Sequence, residues 1–257
     1  MKNKNGNGNI KLSEVSTRAP KHFDKRTTKM AMEPLLTELD ELQNLMYAER
    51  KHSLLVVLQG MDASGKDGLI KDVCSSMNPQ GVKVQSFKVP TEQEAEHDFL
   101  WRIHQHTPAK GMVQVFNRSH YEDVLVTRVH GLIDDKEAVR RMESINNFEK
   151  HLVANNTHIL KFYLHVSEQE QMDRISERKT LPHKMWKYNG NDIKEIARRE
   201  EYLKCYEDVF SHCNYVPWQI LPADQNWYKS YIVAAAIRNM LKDMDMQYPA
   251  IPKEQLA

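Results

Sequence analysis

Apolar residues along the chain follow two alternating rhythms. Leu54–Leu58 (LLVVL) is a short apolar run of the buried parallel type. Val82–Phe87, Met112–Phe116, Ile159–Val166 and Trp218–Leu221, the last following Pro217, read as four further strands. Between them, apolar positions recur at helical spacing. Leu35, Leu36, Leu39, Leu42, Leu45 and Met46 form one stripe behind Pro34, which the pattern places near a helix's first turn. Thr91 with Glu94 fits a capping box opening a helix through about Gln105. A helix follows over roughly Tyr121–Val129, and Val139, Met142, Ile145, Phe148 and Leu152 line one face of a longer one. Ser167 with Glu170 repeats the capping-box pattern ahead of a highly charged helix, and a final helix runs from about Trp227 to Lys242. Five strands separated by helices predict βαβ units with right-handed crossovers. The expected fold is α/β, a three-layer sandwich around a five-stranded parallel sheet.

Residues 1 to about 30 are polar and basic without a period, and read as a flexible or loosely docked arm. Residues 31–250 read as a single domain with a helical insertion. The Leu35–Met46 stripe has two candidate partners, its own domain or another subunit.

Composition narrows the class. Of 257 residues, 40% are hydrophobic and 28% charged, which is neither disordered nor membrane-like. The longest apolar run, Tyr231–Ile237, is far short of the roughly 20 residues that a spanning helix needs. Met1–Ile10 lacks an apolar leader core. Cys74, Cys205 and Cys213 are too scattered for a disulfide framework or a zinc site. These features predict a cytoplasmic protein. With 36 basic against 35 acidic side chains, a general nucleic-acid or membrane-surface binder is not expected. Only nine glycines are present, yet Gly60, Gly65 and Gly68 fall within nine residues. That concentration marks a loop needing special backbone geometry.

Leu54–Gly68 reads LLVVLQGMDASGKDG and contains G-x-x-x-x-G-K at Gly60, Gly65 and Lys66. It follows a buried strand and precedes a helix, where a phosphate-binding loop belongs. Ala63, Ser64, Gly65, Lys66, Asp67 and Gly68 are expected to wrap phosphate, with backbone N–H groups and the helix N-terminus aimed inward and Lys66 supplying charge. In a Walker A loop, Ser or Thr follows the lysine and meets Mg²⁺. Here Asp67 stands in that place, with a second carboxylate, Asp62, inside the loop. Two carboxylates beside a phosphate would repel it unless a divalent cation intervened, so Mg²⁺ is expected, with Asp62 as its ligand. Asp67 reads equally as a helix-start residue favoured by the dipole.

The third strand ends in VFNRSHYEDVLVTR (Val115–Arg128). Where P-loop enzymes usually place a metal-binding carboxylate, this chain has Asn117. Arg118 follows at the carboxyl edge of the sheet, with a fork suited to phosphate oxygens. Glu122 and Asp123 fit either contacts to a nucleotide or metal-bound water, or favourable charge on a first turn. Arg128 is a further nucleotide candidate that could equally pair with an acid. Arg174–Lys187 (RISERKTLPHKMWK) carries Arg174, Arg178, Lys179, Lys184 and Lys187, opposed only by Glu177, and Leu181–Pro182 breaks its helix. Beside a phosphate loop, this concentration predicts a basic lid at about residues 168–195. His104-x-His106 and the cluster Trp218, Trp227, Tyr228 and Tyr231 read as structural.

QGMDASGKDG (Gln59–Gly68), HDFLWRIHQHTP (His97–Pro108), VFNRSHYEDVLVTRVHG (Val115–Gly131), HKMWKYNGNDIKE (His183–Glu195) and PADQNWYKSYIVA (Pro222–Ala234) together resemble the polyphosphate kinase 2 family, over about Leu35–Leu241. The resemblance implies a P-loop kinase fold with a helical lid, and Mg²⁺-dependent phosphoryl transfer between inorganic polyphosphate and nucleotides. Mn²⁺ is the alternative ion, and guanine nucleotides are a further acceptor class beside adenine ones. It implies a homo-oligomer, dimer or tetramer. It carries Asp62, Lys66 and Arg118 over as the phosphate and metal centre, and Arg178 as a lid arginine. The family often has Asp at the position of Asn117; the NRSHYEDV form is similar to the subgroup accepting both AMP and ADP. The expected chemistry is in-line transfer without a covalent enzyme intermediate, with Lys66, Arg118 and Arg178 stabilising the transferred group. The polymer is expected to run along Lys71, Arg174, Lys184 and Lys187. The rival reading is an ATP-dependent nucleotide kinase on the same fold.

Overall fold

The computed structural model describes residues 10–251. Its strands are β1 (Ser53–Gln59), β2 (Val82–Ser86), β3 (Val113–Asn117), β4 (Thr157–His165) and β5 (Trp218–Pro222). They form one all-parallel sheet in the order β2-β3-β1-β4-β5. The continuous apolar run of β1 reflects its central place: every residue of the strand is buried. β2 lies at an edge and keeps most of its side chains partly or fully in solvent.

The helices are α1 (Lys25–Glu49), α2 (Lys66–Cys74), α3 (Glu92–Ala95), α4 (Trp101–His104), α5 (Val126–Val129), α6 (Asp135–Ala154), α7 (Glu168–Thr180), α8 (Pro182–Met185), α9 (Asn191–Ile196), α10 (Arg199–His212) and α11 (Asn226–Lys242). α1, α2 and α11 pack together, as do α5, α6 and α10, so the sheet is the middle of three layers. The Leu35–Met46 stripe is spent within its own chain. Leu35, Leu39 and Met46 are buried in the core, and Leu36, Leu42 and Leu45 pack against it.

Several boundaries differ from the sequence pattern, each for a local reason. Residues 1–9 of the expected arm lie outside the described residues. From Ile10 onward the chain is docked: Leu12 is buried and its N–H donates to Glu207 Oε1 at 2.7 Å, while Thr17 Oγ1 donates to Asp224 Oδ2 at 2.8 Å. α1 starts at Lys25 because the Asp24 carboxylate caps the Arg26 and Thr27 N–H groups. Pro34 therefore lies inside the helix rather than in its first turn. The cost of a proline in a helix interior, about 3 kcal/mol for the lost hydrogen bond and ring clash together, is offset by burial of the stripe that follows.

The Thr91–Glu94 capping box forms in full, but the helix it opens ends at Ala95. Asp98 Oδ1 then takes the Leu100 N–H at 2.9 Å and starts a separate turn into α4. The Tyr121–Val129 segment is a 3-10 turn, His120–Val124, followed by α5. At Ser167 only half the box forms. Its hydroxyl caps the Glu170 N–H at 3.2 Å, while its own N–H goes to Asp224 Oδ1 and the Glu170 carboxylate goes to Arg174 Nε, both at 2.8 Å.

Candidate active site

The carboxyl ends of β1 and β3 are adjacent, with Leu58 opposite Asn117, so the glycine-rich loop and the Asn117–Arg118 pair meet at one sheet edge. Ligands of open α/β sheets bind at such a point. A cavity of about 790 Å³ opens there. Its floor is Asp62–Gly68. Its walls come from the end of β2, from Asn117 and Arg118, and from α7 and α8 through Arg174, Arg178, His183, Lys184 and Lys187.

The loop is shaped before any ligand arrives. Ala63 and Gly65 have φ of 61° and 91°, in the left-handed region. A Cβ on Gly65 would also crowd the end of the Lys229 side chain, but it is the positive φ that calls for glycine. Lys66 is buried, and its ammonium folds back to the Gly60 carbonyl at 2.7 Å and the Met61 carbonyl at 3.3 Å. Burial, reinforced by Arg118, pulls its pKa down to about 8, against the pull of Asp62, Glu122 and Asp67. Arg174 braces the loop from behind, donating to the Ala63 carbonyl at 2.9 Å and the Ala223 carbonyl at 2.8 Å.

Arg118 sits at φ 62°, with its N–H on the Leu58 carbonyl at 3.1 Å. Its guanidinium holds the Asp62 carboxylate and stands 3.7 Å from Glu122 Oε2. Those carboxylates keep the guanidinium charged, Glu122 contributing most. Glu122 is itself raised by burial, with Arg118 acting against the rise. It lines a small adjoining cavity of about 30 Å³ with Asp62, Arg118, Tyr202 and Tyr206.

Three cations above the floor are each held by an acid. Arg178 Nη1 meets Asp192 Oδ2 at 2.6 Å, Lys184 Nζ meets Glu177 Oε2 at 2.5 Å, and Lys187 Nζ meets Asp67 Oδ2 at 2.9 Å. Asp67 also accepts from Asn117 Nδ2 at 2.9 Å. Partial burial would raise its carboxyl, but the Lys187 and Asn117 hydrogen bonds outweigh that and hold it below its ordinary value.

Three expected site residues lie elsewhere. Asp123 is buried against Arg102 Nη2 at 3.3 Å, and Arg128 ties Asp135 and Asp208, both at 2.9 Å. Neither borders either cavity, and their charges pin the segment after Arg118. Lys71 is a full helical turn beyond the loop, exposed and outside the cavity lining.

One important residue escaped the sequence pattern. Lys229, in the first turn of α11, is 1% exposed, and its ammonium donates to the Ser64 carbonyl at 2.8 Å. Burial, with Arg174 adding to it, brings its pKa down to about 7. The signal was present: Lys229 shares the i, i+4 face of Val233, Ile237 and Leu241, all buried, so a cation sits on an apolar stripe.

A glycine-rich loop between a central strand and a helix, with cations converging from loop, sheet edge and helical cover, defines a P-loop phosphotransferase. Within that class, the chain belongs to the polyphosphate kinase 2 family, whose pattern it matches over residues 22–250. It is 44% identical to an AMP/ADP-polyphosphate phosphotransferase of Meiothermus ruber, over 88% of this chain and 85% of that protein. It is 42% identical to an ADP-polyphosphate phosphotransferase of Rhodopseudomonas palustris, over 82% and 78% respectively. The crystal structure of polyphosphate kinase 2 from Arthrobacter aurescens TC1 superposes with a TM-score of 0.91 at 37% identity, covering 94% of this chain and 88% of that one. Among the described residues, no helix is long and apolar enough to cross a membrane.

Proposed function

We propose that the protein transfers phosphoryl groups from inorganic polyphosphate to both AMP and ADP, with guanine nucleotides as a further acceptor class. The observation that carries this reading is the cavity. It joins a preformed phosphate loop to a helical cover bearing Arg178, Lys184 and Lys187, so cations line both of its sides. The similarity to an AMP/ADP-polyphosphate phosphotransferase supports acceptance of both nucleotides.

The terminal phosphates of the polymer enter the loop, where backbone N–H groups and Lys66 receive them. Lys66 exchanges two loop carbonyls for phosphate oxygens. Arg118, kept charged and aimed by Asp62 and Glu122, faces the transferred group. The polymer continues under α7–α9, which acts as a lid. There Arg178, Lys184 and Lys187 trade their carboxylate partners for phosphate and exclude water. An oxygen of the acceptor's terminal phosphate attacks the last phosphorus of the chain in line. The bond to the next phosphate breaks, and the shortened polymer departs with the bonding electrons on its oxygen. The attacking oxygen is already anionic, so no strong base is required.

The carboxylates of Asp62 and Asp67 and the amide oxygen of Asn117 are hard oxygen donors beside the phosphate floor, a set that fits Mg²⁺ or Mn²⁺. When bound, such an ion neutralises charge on phosphate oxygens.

The test supplies polyphosphate and Mg²⁺ with AMP, ADP or GDP in turn and resolves the products by anion exchange. ATP from ADP together with ADP from AMP is the expected result. No product without added ATP as donor would favour the ATP-dependent kinase instead.

A further inference from the structure

The capping-box pattern occurs at Thr91 and at Ser167, and only the first copy closes on itself. At Thr91 the Glu94 carboxylate returns to the Thr91 N–H at 2.8 Å. At Ser167 the corresponding N–H is taken by Asp224 Oδ1, also at 2.8 Å, from the loop that follows β5. Glu170 is thereby released and holds Arg174 Nε at 2.8 Å. Asp224 does across 57 residues of sequence what a neighbouring glutamate does at Thr91. Glu170 would have capped α7 equally well, so helix stability alone does not account for the exchange.

Further contacts converge on Asp224. Its Oδ2 accepts from Thr17 Oγ1 at 2.8 Å, and its N–H donates to the Thr17 carbonyl at 3.1 Å. Its carbonyl accepts from Arg174 Nη2 at 3.1 Å. Arg174 in turn donates Nη1 to the Ala63 carbonyl of the phosphate loop at 2.9 Å. One half-buried residue therefore ties together the start of α7, the docked arm and, through Arg174, the loop. α7 also carries Arg178, eleven residues beyond Ser167, about 16 Å along the helix axis. A tilt of a few degrees at the base of α7 would displace Arg178 by about 1 Å, a misplacement large enough to slow catalysis.

We propose that Asp224 is a positioning residue for phosphoryl transfer. By taking the Ser167 N–H it fixes the root of α7 against the phosphate loop, and it leaves Glu170 free to hold Arg174. The inference rests on the phosphotransfer reading above. Once Asp224 is removed, the Ser167 N–H is open to Glu170, which would close the local box as Glu94 does at Thr91. α7 then still folds, but Arg174 loses the acid that aims it at Ala63.

Steady-state kinetics with ADP and polyphosphate, beside thermal melting, test this on the full-length chain. Asp224→Ala should lower kcat about tenfold, with the polyphosphate KM changed less than about threefold because Arg178, Lys184 and Lys187 remain. Asp224→Asn keeps an oxygen for the Ser167 N–H, and its kcat should stay within about twofold of the wild type. Thr17→Val removes the arm's side-chain contact but spares Ser167. Its kcat should hold within about twofold even where the melting temperature drops. Unchanged kcat in Asp224→Ala would overturn the proposal. So would Asp224→Asn as slow as Asp224→Ala, or Thr17→Val with the same loss, because charge or arm docking would then be the cause. Should Asp224→Ala not fold, Glu170→Ala reads the same link: kcat should fall about threefold, and full activity there overturns the proposal. A wild type making no ATP from ADP and polyphosphate sinks the phosphotransfer reading itself. Normal wild-type turnover with an indifferent Asp224→Ala sinks only the role of Asp224.

Discussion

The cations on the two sides of the cavity are held by different partners. On the loop side, the buried Lys66 and Lys229 donate to the backbone carbonyls of Gly60, Met61 and Ser64, while Arg174, paired with Glu170, reaches from α7 to the Ala63 and Ala223 carbonyls. On the helical side, Arg178, Lys184 and Lys187 are held by Asp192, Glu177 and Asp67. Carbonyl partners fix the shape of the loop without cancelling its charge. Carboxylate partners neutralise each lid cation until a stronger anion replaces them. The floor is thus preformed for phosphate, and the cover is charge-balanced until polyphosphate arrives. This difference reconciles a site built for a polyanion with a chain whose formal net charge is +1.

The sharpest way to break the comparison is on the floor. Lys66→Met removes the buried cation that the mechanism sends to the phosphate, and kcat should fall about 10²–10³-fold with the melting temperature held or raised. A fall below tenfold would mean that the floor is not where charge develops. Next in size is the bracing of the loop. Lys229→Met leaves the Ser64 carbonyl without its donor, and kcat/KM should drop about tenfold through misplacement of the loop. Unaltered kinetics would show that Arg174 alone shapes it.

Salt sharpens the other side. Tripolyphosphate affinity should fall about tenfold between about 50 and 200 mM salt, because the lid cations sit in solvent-accessible pairs. Glu177→Gln, which frees Lys184, should lower the polyphosphate KM about twofold at low salt and leave kcat in place.

Proton linkage separates the regions again. Burial brings the Lys66 and Lys229 pKa values down to about 8 and about 7. A bound polyanion favours their charged forms and raises both pKa values. Well below pH 7 both are already charged, and affinity is level there. Above pH 7 binding must take up protons, and affinity declines as pH rises. Calorimetry in two buffers of different ionisation enthalpy should register proton uptake at pH 8, reduced in Lys229→Met. The smallest effect on catalysis belongs to Asp123→Asn. It should cost about 2 kcal/mol of stability through its buried Arg102 partner, with the AMP KM changed less than twofold.

These two sides also differed in how far the sequence revealed them. The floor was legible because it is local. Gly60, Gly65 and Lys66 lie within seven residues, and the flanking strand and helix have unmistakable periods. The sheet was legible for the same reason, through short apolar runs between helical stripes. What bears on the site from a distance was not. Lys229 reaches Ser64 across 165 residues, and only its place on an apolar stripe marks it. Asp123 and Arg128 follow Arg118 and Glu122 closely in sequence, yet the turn after Ser119 and the helix behind it direct them toward Arg102, Asp135 and Asp208. Adjacency could not say which way that turn would face. The start of α1 was missed because the single Asp24 cap outweighed Pro34 as a boundary signal.

The most direct test follows the phosphate itself. In a single turnover with polyphosphate labelled at its terminal phosphate and ADP in excess, the label should appear in the γ-phosphate of ATP. None should remain on the denatured protein or appear as free phosphate. Label trapped on the protein, or released to water faster than it reaches ATP, would contradict direct transfer beneath a closed cationic cover.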